Sequence, residues 1–105
     1  MLLLQTVLGP VMEEVVFRGY FVRFLLWLHG ARFSRRVRCA SVVVISALAF
    51  GACHFLRPGT GFITVAVITT LGTLYGYIRM TSGSTATAAV AHAAYNATLY
   101  LGMAV

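Results

Sequence analysis

The 105-residue sequence contains very little charge, and almost none of it is negative. Only 10% of the residues are charged, lysine and aspartate are absent, and Glu13 and Glu14 are the only acidic residues. A soluble domain is normally about a quarter charged. Because 60% of the residues are hydrophobic, they cannot build a surface that faces water, and the composition indicates a membrane protein.

Cysteine is also scarce, and the two cysteines are not placed to pair. Cys39 and Cys53 fall in one predicted helix, about 21 Å apart at about 1.5 Å per residue. A disulfide needs Cα atoms within about 7 Å. The amino terminus lacks the basic region and small-residue cleavage site of a signal peptide, so we interpret it as the start of a membrane span.

Four long apolar segments dominate the sequence, each long enough to cross an apolar layer of about 30 Å as a helix. The breaks between them contain an arginine-rich stretch, "RPGTG" and "TSGST", in which Pro58 and Gly59 favour a turn and Ser82 or Ser84 can cap the last helix. We expect an all-α transmembrane bundle of about four membrane helices, forming one domain over residues 1–105. The segments are 2–28, 39–56, 62–80 and 85–105.

The positive charge is carried by arginine alone and gives a formal net charge of +6. Nucleic-acid binding needs a solvated basic face, which a sequence this apolar does not offer. Four arginines lie instead in "ARFSRRVRC", between two apolar segments. Under the positive-inside rule this loop is cytoplasmic, and Arg57 lies on the opposite side of the membrane. The expected partner is the lipid bilayer, with no nucleic acid.

Both glutamates lie inside an apolar run, in "PVMEEVVFRG". A carboxylate at a helix centre in a bilayer costs about 2.5–3.5 kcal/mol. Glu14 and Arg18 are four residues apart on one helix face, so they can form a buried ion pair with a structural role. Glu13 points about 100° away and has no local counter-charge. A membrane carboxylate of this kind is a candidate functional residue.

Two further residue pairs that contain a histidine occur at the same helical spacing, in other segments. Phe50 and His54 lie in "FGACH", and His92 and Asn96 lie in "HAAYN". The polar side chains of either pair could have a purely structural role, as hydrogen-bonding contacts between helices. Depth in the membrane can be counted from the presumed cytoplasmic end of each helix, at about 1.5 Å per residue. On this count Glu13 and His54 lie at similar depths of about 22–24 Å, whereas His92 lies near 13 Å. One shared cavity therefore requires the last helix to start deeper or to tilt.

A carboxylate, two imidazoles and an amide gathered in one cavity would suit hydrolysis. Glu13 can act as a general base on water, while imidazole and amide groups can orient that water or stabilise an oxyanion. Two histidines and a carboxylate, here His54, His92 and Glu13, also match a catalytic zinc site, although the sequence has no HExxH. Zinc or another divalent metal is therefore an open alternative. No serine or cysteine is clearly placed as a nucleophile.

The three polar sets resemble, in order, the motifs of one protein family. "PVMEEVVFRG" is similar to an EExxxR motif, "SALAFGACH" to FxxxH, and "TSGSTATAAVAHAAYN" to a segment ending in HxxxN. These are the motifs of the CPBP intramembrane proteases, which include CAAX prenyl proteases and bacteriocin-processing enzymes and are also called the Abi family. The motifs span most of the chain.

The resemblance implies a membrane endopeptidase, and the family has been described both as glutamate-dependent and as metal-dependent. Carried over by position, Glu13 would activate the attacking water with His54. His92 and Asn96 would act as oxyanion stabilisers or as part of a metal shell. A supporting set completes the motifs: Glu14, Arg18 and Phe50.

The expected substrates are peptides or proteins in or at the membrane. Family substrates include prenylated CAAX proteins in eukaryotes, and bacterial members are linked to bacteriocin maturation and self-immunity. The use of arginine as the only basic residue besides histidine, with many alanines, suggests a GC-rich bacterial genome. Together with the apolar segments, it leads us to expect a multi-pass protein of the bacterial cytoplasmic membrane. Family members have further membrane helices before the EExxxR helix, so we expect this chain to lack upstream helices. Two alternatives stay open, a non-catalytic scaffold such as an immunity or interaction protein and part of an ion or proton pathway.

Overall fold

The computed structural model describes residues 2–104, which are helical apart from short turns; Met1 and Val105, at the ends of the predicted domain, lie outside them. Four helical runs follow one another without a gap from Leu4 to His29, and they form one continuous rod. Three further helices complete the chain, so the all-α prediction is confirmed. The elements are π1 (Leu4–Leu8), α1 (Gly9–Glu14), π2 (Val15–Phe21), α2 (Val22–His29), α3 (Arg35–Phe55), α4 (Phe62–Ser82) and α5 (Thr85–Ala104).

The first rod contains two wide helical segments that the sequence did not indicate. The N–H of Gly9 donates to the carbonyl of Leu4, and the N–H of Val22 donates to that of Phe17, each five residues back. π-Helical turns are rare and often occur at functional sites. Here π2 begins directly after Glu14, so the helix widens where the two glutamates end α1.

The turns between the rods have the chemistry that the sequence predicts. Ser84 caps α5, because its hydroxyl oxygen accepts a hydrogen bond of 3.3 Å from the N–H of Thr87. The α3–α4 turn closes through the N–H of Thr60, which donates to the carbonyl of Arg57 at 3.2 Å. Gly59 in this turn has a φ of 81°, a conformation that favours glycine.

Helices α3 and α4 form an antiparallel pair that packs closely through glycines. A Cβ atom on Gly76 would lie 3.3 Å from the Val43 side chain, and one on Gly51 would overlap Thr69. Small residues of this kind allow membrane helices to approach each other. Within residues 2–104, these two helices are the ones long and apolar enough to cross a membrane by length and composition. Both cysteines are free, as expected.

The distribution of exposed side chains differs from that in a protein folded in water, because many large apolar residues face outward. Glu14 and Arg18 are fully buried, whereas large apolar side chains such as Ile63, at 84% exposure, and Trp27, at 76%, face outward. Charged residues in water-soluble proteins are almost never fully buried unless they are paired, and large apolar residues usually lie inside. An apolar environment around the helices accounts for this distribution.

The glycine contact between α3 and α4 gives a stability prediction. Gly51→Ala should lower the free energy of unfolding by about 1–3 kcal/mol, because the added methyl group forces the two helices apart at Thr69. Thermal unfolding of the detergent-solubilised protein, followed by circular dichroism, measures the effect. Gly102→Ala is the matched control, since nothing lies within 4 Å of its Cβ position. Equal melting temperatures for the two variants would contradict this packing.

Candidate active site

Glu14 is the centre of a buried polar network that joins three helical rods. Its Oε2 lies 3.4 Å from Nε of Arg18, and both side chains are fully buried. Arg18 in turn donates to the carbonyl of Gly72 on α4 at 2.6 Å. On the other side, Nδ1 of His92 lies 2.8 Å from Oε1 of Glu14. The ion pair predicted from the spacing of Glu14 and Arg18 is present, and it extends to both α4 and α5.

Aromatic rings surround the guanidinium of Arg18. Its central carbon lies 4.7 Å from the Phe50 ring centroid and 5.7 Å from that of Tyr75, within the range of cation–π attraction. The Phe50 ring also meets His54, with centroids 4.6 Å apart, and His92, at 5.8 Å. Phe50 therefore contacts the ion pair and both imidazoles, a position that suits the supporting role implied by its motif.

Glu13 faces both histidines across short gaps. Its Oε1 lies 3.9 Å from Nε2 of His54, and its Oε2 lies 3.8 Å from Nε2 of His92. These distances exceed that of a direct hydrogen bond, but a bridging water can connect groups separated in this way. The Glu13 side chain is 27% exposed, so the carboxylate is reachable from the cavity that it borders.

In both histidines Nδ1 makes a hydrogen bond within the protein, and Nε2 faces Glu13. Nδ1 of His54 lies 2.9 Å from the carbonyl oxygen of Phe50. A carbonyl oxygen only accepts, so Nδ1 carries the hydrogen. Nδ1 of His92 donates to the Glu14 carboxylate for the same reason. In both rings Nε2 is thus the nitrogen available for chemistry.

Arg57 supplies the counter-charge that the sequence did not reveal for Glu13. One of its terminal nitrogens lies 3.5 Å from Oε1 of Glu13, and the arginine side chain is 65% exposed. Glu13 has no counter-charge on its own helix, as the spacing indicates, but the fold brings one from 44 residues away, after α3. With Arg18 beside Glu14, the two carboxylates of the site face two guanidiniums.

A cavity of about 670 Å³ opens above these groups. Asn96 lies along its wall and donates from Nδ2 to the carbonyl of Gln5 at 3.1 Å. The hydroxyl of Tyr100 donates to the side-chain oxygen of Gln5. This hydrogen bond connects π1 to α5 beside the cavity. Neither Gln5 nor Tyr100 had a distinguishing sequence pattern. The apolar part of the wall comes mainly from α4 and includes Ile63, Val67, Ile68 and Leu71.

The metal-binding alternative receives no support from the geometry. Within residues 2–104, no group of three or more His, Cys, Asp or Glu side chains is arranged to hold a metal ion. The nearest set is Glu13, His54 and His92, and there the guanidinium of Arg57 already lies beside the carboxylate. A cationic neighbour disfavours a divalent cation on the same oxygen. Zinc binding stays a prediction.

The fold and the site together define a class of protein, the helical proteins that hold carboxylate and imidazole side chains together between apolar helices. Residues 1–98 match the family model described as type II CAAX prenyl endopeptidase Rce1-like. The match covers almost the whole chain, so the chain belongs to this family of membrane-embedded proteases, and the resemblance stated above is confirmed. Neither the curated proteins nor the solved structures contain a significant match.

Proposed function

We propose that this chain is the core of an intramembrane endopeptidase that cleaves membrane-associated peptides with a water molecule activated by Glu13. Its family supports a protease acting at the membrane. The observation that carries the mechanism is the position of Glu13, whose two oxygens each face the Nε2 atom of a histidine at 3.8–3.9 Å inside a cavity.

The first step is the attack of water on the peptide carbonyl. A water between Glu13 and His54 would donate one hydrogen to the carboxylate and the other to Nε2. Glu13 takes the proton as the water oxygen bonds to the carbonyl carbon, and the carbonyl π electrons move to its oxygen. Because the Phe50 carbonyl holds Nδ1 of His54, the ring keeps its acceptor nitrogen directed at the water.

The second step is the collapse of the tetrahedral intermediate. Its negative oxygen needs hydrogen-bond donors fixed in advance. Doubly protonated His92 would donate from Nε2 while its Nδ1–H stays on Glu14. The Arg57 guanidinium and the second N–H of Asn96 are further donors at the same cavity. Glu13 then returns its proton to the departing amine, and the C–N bond breaks.

We also propose that the chain crosses a bacterial cytoplasmic membrane several times, with the loop between α2 and α3 on the cytoplasmic side. The two helices that are long and apolar enough to cross a membrane support part of this arrangement. The four arginines from Arg32 to Arg38 favour that orientation. In a background from which the two free cysteines are removed by Cys39→Ala and Cys53→Ala, a cysteine introduced by Arg32→Cys should react with a membrane-impermeant thiol reagent only in inside-out vesicles.

Arg57 gives a prediction that separates catalysis from stability. Arg57→Gln should lower kcat by about tenfold, less than the ~10²–10³ of a buried donor, because the guanidinium is largely exposed. The melting temperature should fall by no more than about 4–8 °C, since an exposed ion pair contributes about 0–1 kcal/mol and a loss of 1 kcal/mol shifts the melting temperature by that amount in a domain of this size. Arg36→Gln, at the opposite end of α3, is the matched control and should retain full activity. Unchanged kcat in Arg57→Gln would remove this residue from the mechanism.

The test of the proposed function is peptide cleavage by the purified chain in lipid nanodiscs. Prenylated and unprenylated peptide libraries are incubated with wild-type protein, with Glu13→Gln and with chelator-treated wild type, and the products are read by mass spectrometry. Cleavage that disappears in Glu13→Gln and persists with chelator would support the metal-free mechanism. Loss with chelator and recovery with zinc would support a metalloprotease. A folded wild type that cleaves no peptide would favour the non-catalytic scaffold.

A further inference from the structure

A second cavity, of about 590 Å³, lies between α3 and α4 at the end of the bundle remote from Glu13. Arg35, the first residue of α3, is at one end of this groove, and His54 of the active site is 19 positions further along the same helix. That separation is about 28 Å at about 1.5 Å per residue. The rest of the groove is mostly apolar and includes Cys39, Val43, Val44, Tyr77 and Met80.

The charge around this groove is positive and is not balanced by the chain's own glutamates. Both glutamates lie in the active site, at the other end of α3. Of the four arginines in the loop and first turn of α3, Arg38 is already engaged, because it donates to the carbonyl of Gly30 at 2.9 Å. Arg35 is exposed and borders the groove, whereas its neighbour Arg36 is exposed and does not line it.

We propose that this groove binds one anionic phospholipid, whose phosphate contacts the guanidinium of Arg35 and whose acyl chain lies along Val43, Val44 and Tyr77. A guanidinium binds phosphate oxygens through two parallel hydrogen bonds. The groove belongs to the two helices that can cross a membrane, so lipid chains are the apolar groups that surround it. Basic pockets between membrane helices on the cytoplasmic side commonly bind anionic headgroups.

The cation at the end of the apolar groove selects an anionic lipid over a zwitterionic one. A zwitterionic lipid offers the same acyl chain, but its own positive group offsets the attraction of its phosphate to Arg35. One arginine near an anionic surface contributes about 1 kcal/mol, which corresponds to about a fivefold preference. Lipid binding in this groove does not depend on the protease mechanism, because the groove and the cavity at Glu13 share no lining residue.

Fluorescence quenching by brominated lipid tests the proposal at the groove itself. The chain has one tryptophan, so Trp27→Phe combined with Tyr77→Trp leaves a single tryptophan, placed in the groove, whose fluorescence can be excited apart from that of the tyrosines. The full chain is reconstituted in vesicles of phosphatidylcholine and phosphatidylglycerol, with bromine on one lipid or the other. We expect quenching to indicate about a fivefold higher local affinity for phosphatidylglycerol.

The two neighbouring arginines provide a matched pair of variants for this measurement. Arg35→Gln should abolish the preference for phosphatidylglycerol, whereas Arg36→Gln, with the same loss of charge, should retain it. Equal effects of the two variants, or equal quenching by the two lipids, would overturn the proposal of a specific site at Arg35. Such a result would indicate a general attraction of anionic lipids to the arginine-rich loop. No quenching by either lipid would also overturn it, because the groove would then be covered by protein.

Discussion

Glu13→Gln is expected to lower the rate of peptide cleavage by about 10²–10⁴-fold, the range attributed to a general base. Glutamine has nearly the same size and can still occupy the space between His54 and His92, but its amide cannot take a proton from water. Because Glu13 is partly exposed and its histidine contacts are longer than hydrogen bonds, removing its charge should change the melting temperature little.

The measurement is the single-turnover cleavage rate of a peptide found in the library screen, with circular dichroism as the test of folding. Glu13→Asp is the informative companion, since it keeps the charge and withdraws the carboxylate by one methylene group. We expect it to retain measurable activity, below that of the wild type. A glutamine variant that cleaves at the wild-type rate would exclude Glu13 as the base.

Local spacing in the sequence was enough to predict one part of this site. Glu14 and Arg18 are four residues apart in a helix, and the structure brings them together as a fully buried pair. The same reasoning placed Phe50 beside His54, and their ring centroids are 4.6 Å apart. Contacts of this kind depend only on helical periodicity, which holds even where the first rod contains wide turns.

Contacts between different rods could not be predicted from spacing. Counting residues from the helix ends placed His92 about 10 Å shallower than Glu13, yet its Nε2 lies 3.8 Å from that carboxylate. Such a count assumes straight, parallel helices with regular turns, and the first rod has two π-helical segments. Arg57 was assigned to the far side of the membrane from the arginine-rich loop and the order of the spans, which gave no indication that it would reach Glu13.

The buried pair leads to the largest expected effect on stability. Arg18→Met should lower the free energy of unfolding by about 3–5 kcal/mol, because it leaves the carboxylate of Glu14 in the interior without its guanidinium. The variant also loses the hydrogen bond to Gly72 and the contact with the Phe50 ring. Methionine replaces the aliphatic part of the arginine side chain but not its guanidinium, so the effect has an electrostatic part and a packing part.

A double-mutant cycle separates that electrostatic part from the loss of packing. Glu14→Gln combined with Arg18→Met removes both charges, and the glutamine oxygen can still accept from Nδ1 of His92. We expect the double variant to recover at least about half of the stability lost in Arg18→Met, since replacing both members of a buried pair is often nearly neutral. Thermal unfolding of the four proteins in one detergent gives the coupling energy directly. If the two losses simply add, Arg18 stabilises the bundle through Gly72 and the aromatic rings, and the charge of Glu14 is compensated by His92 instead.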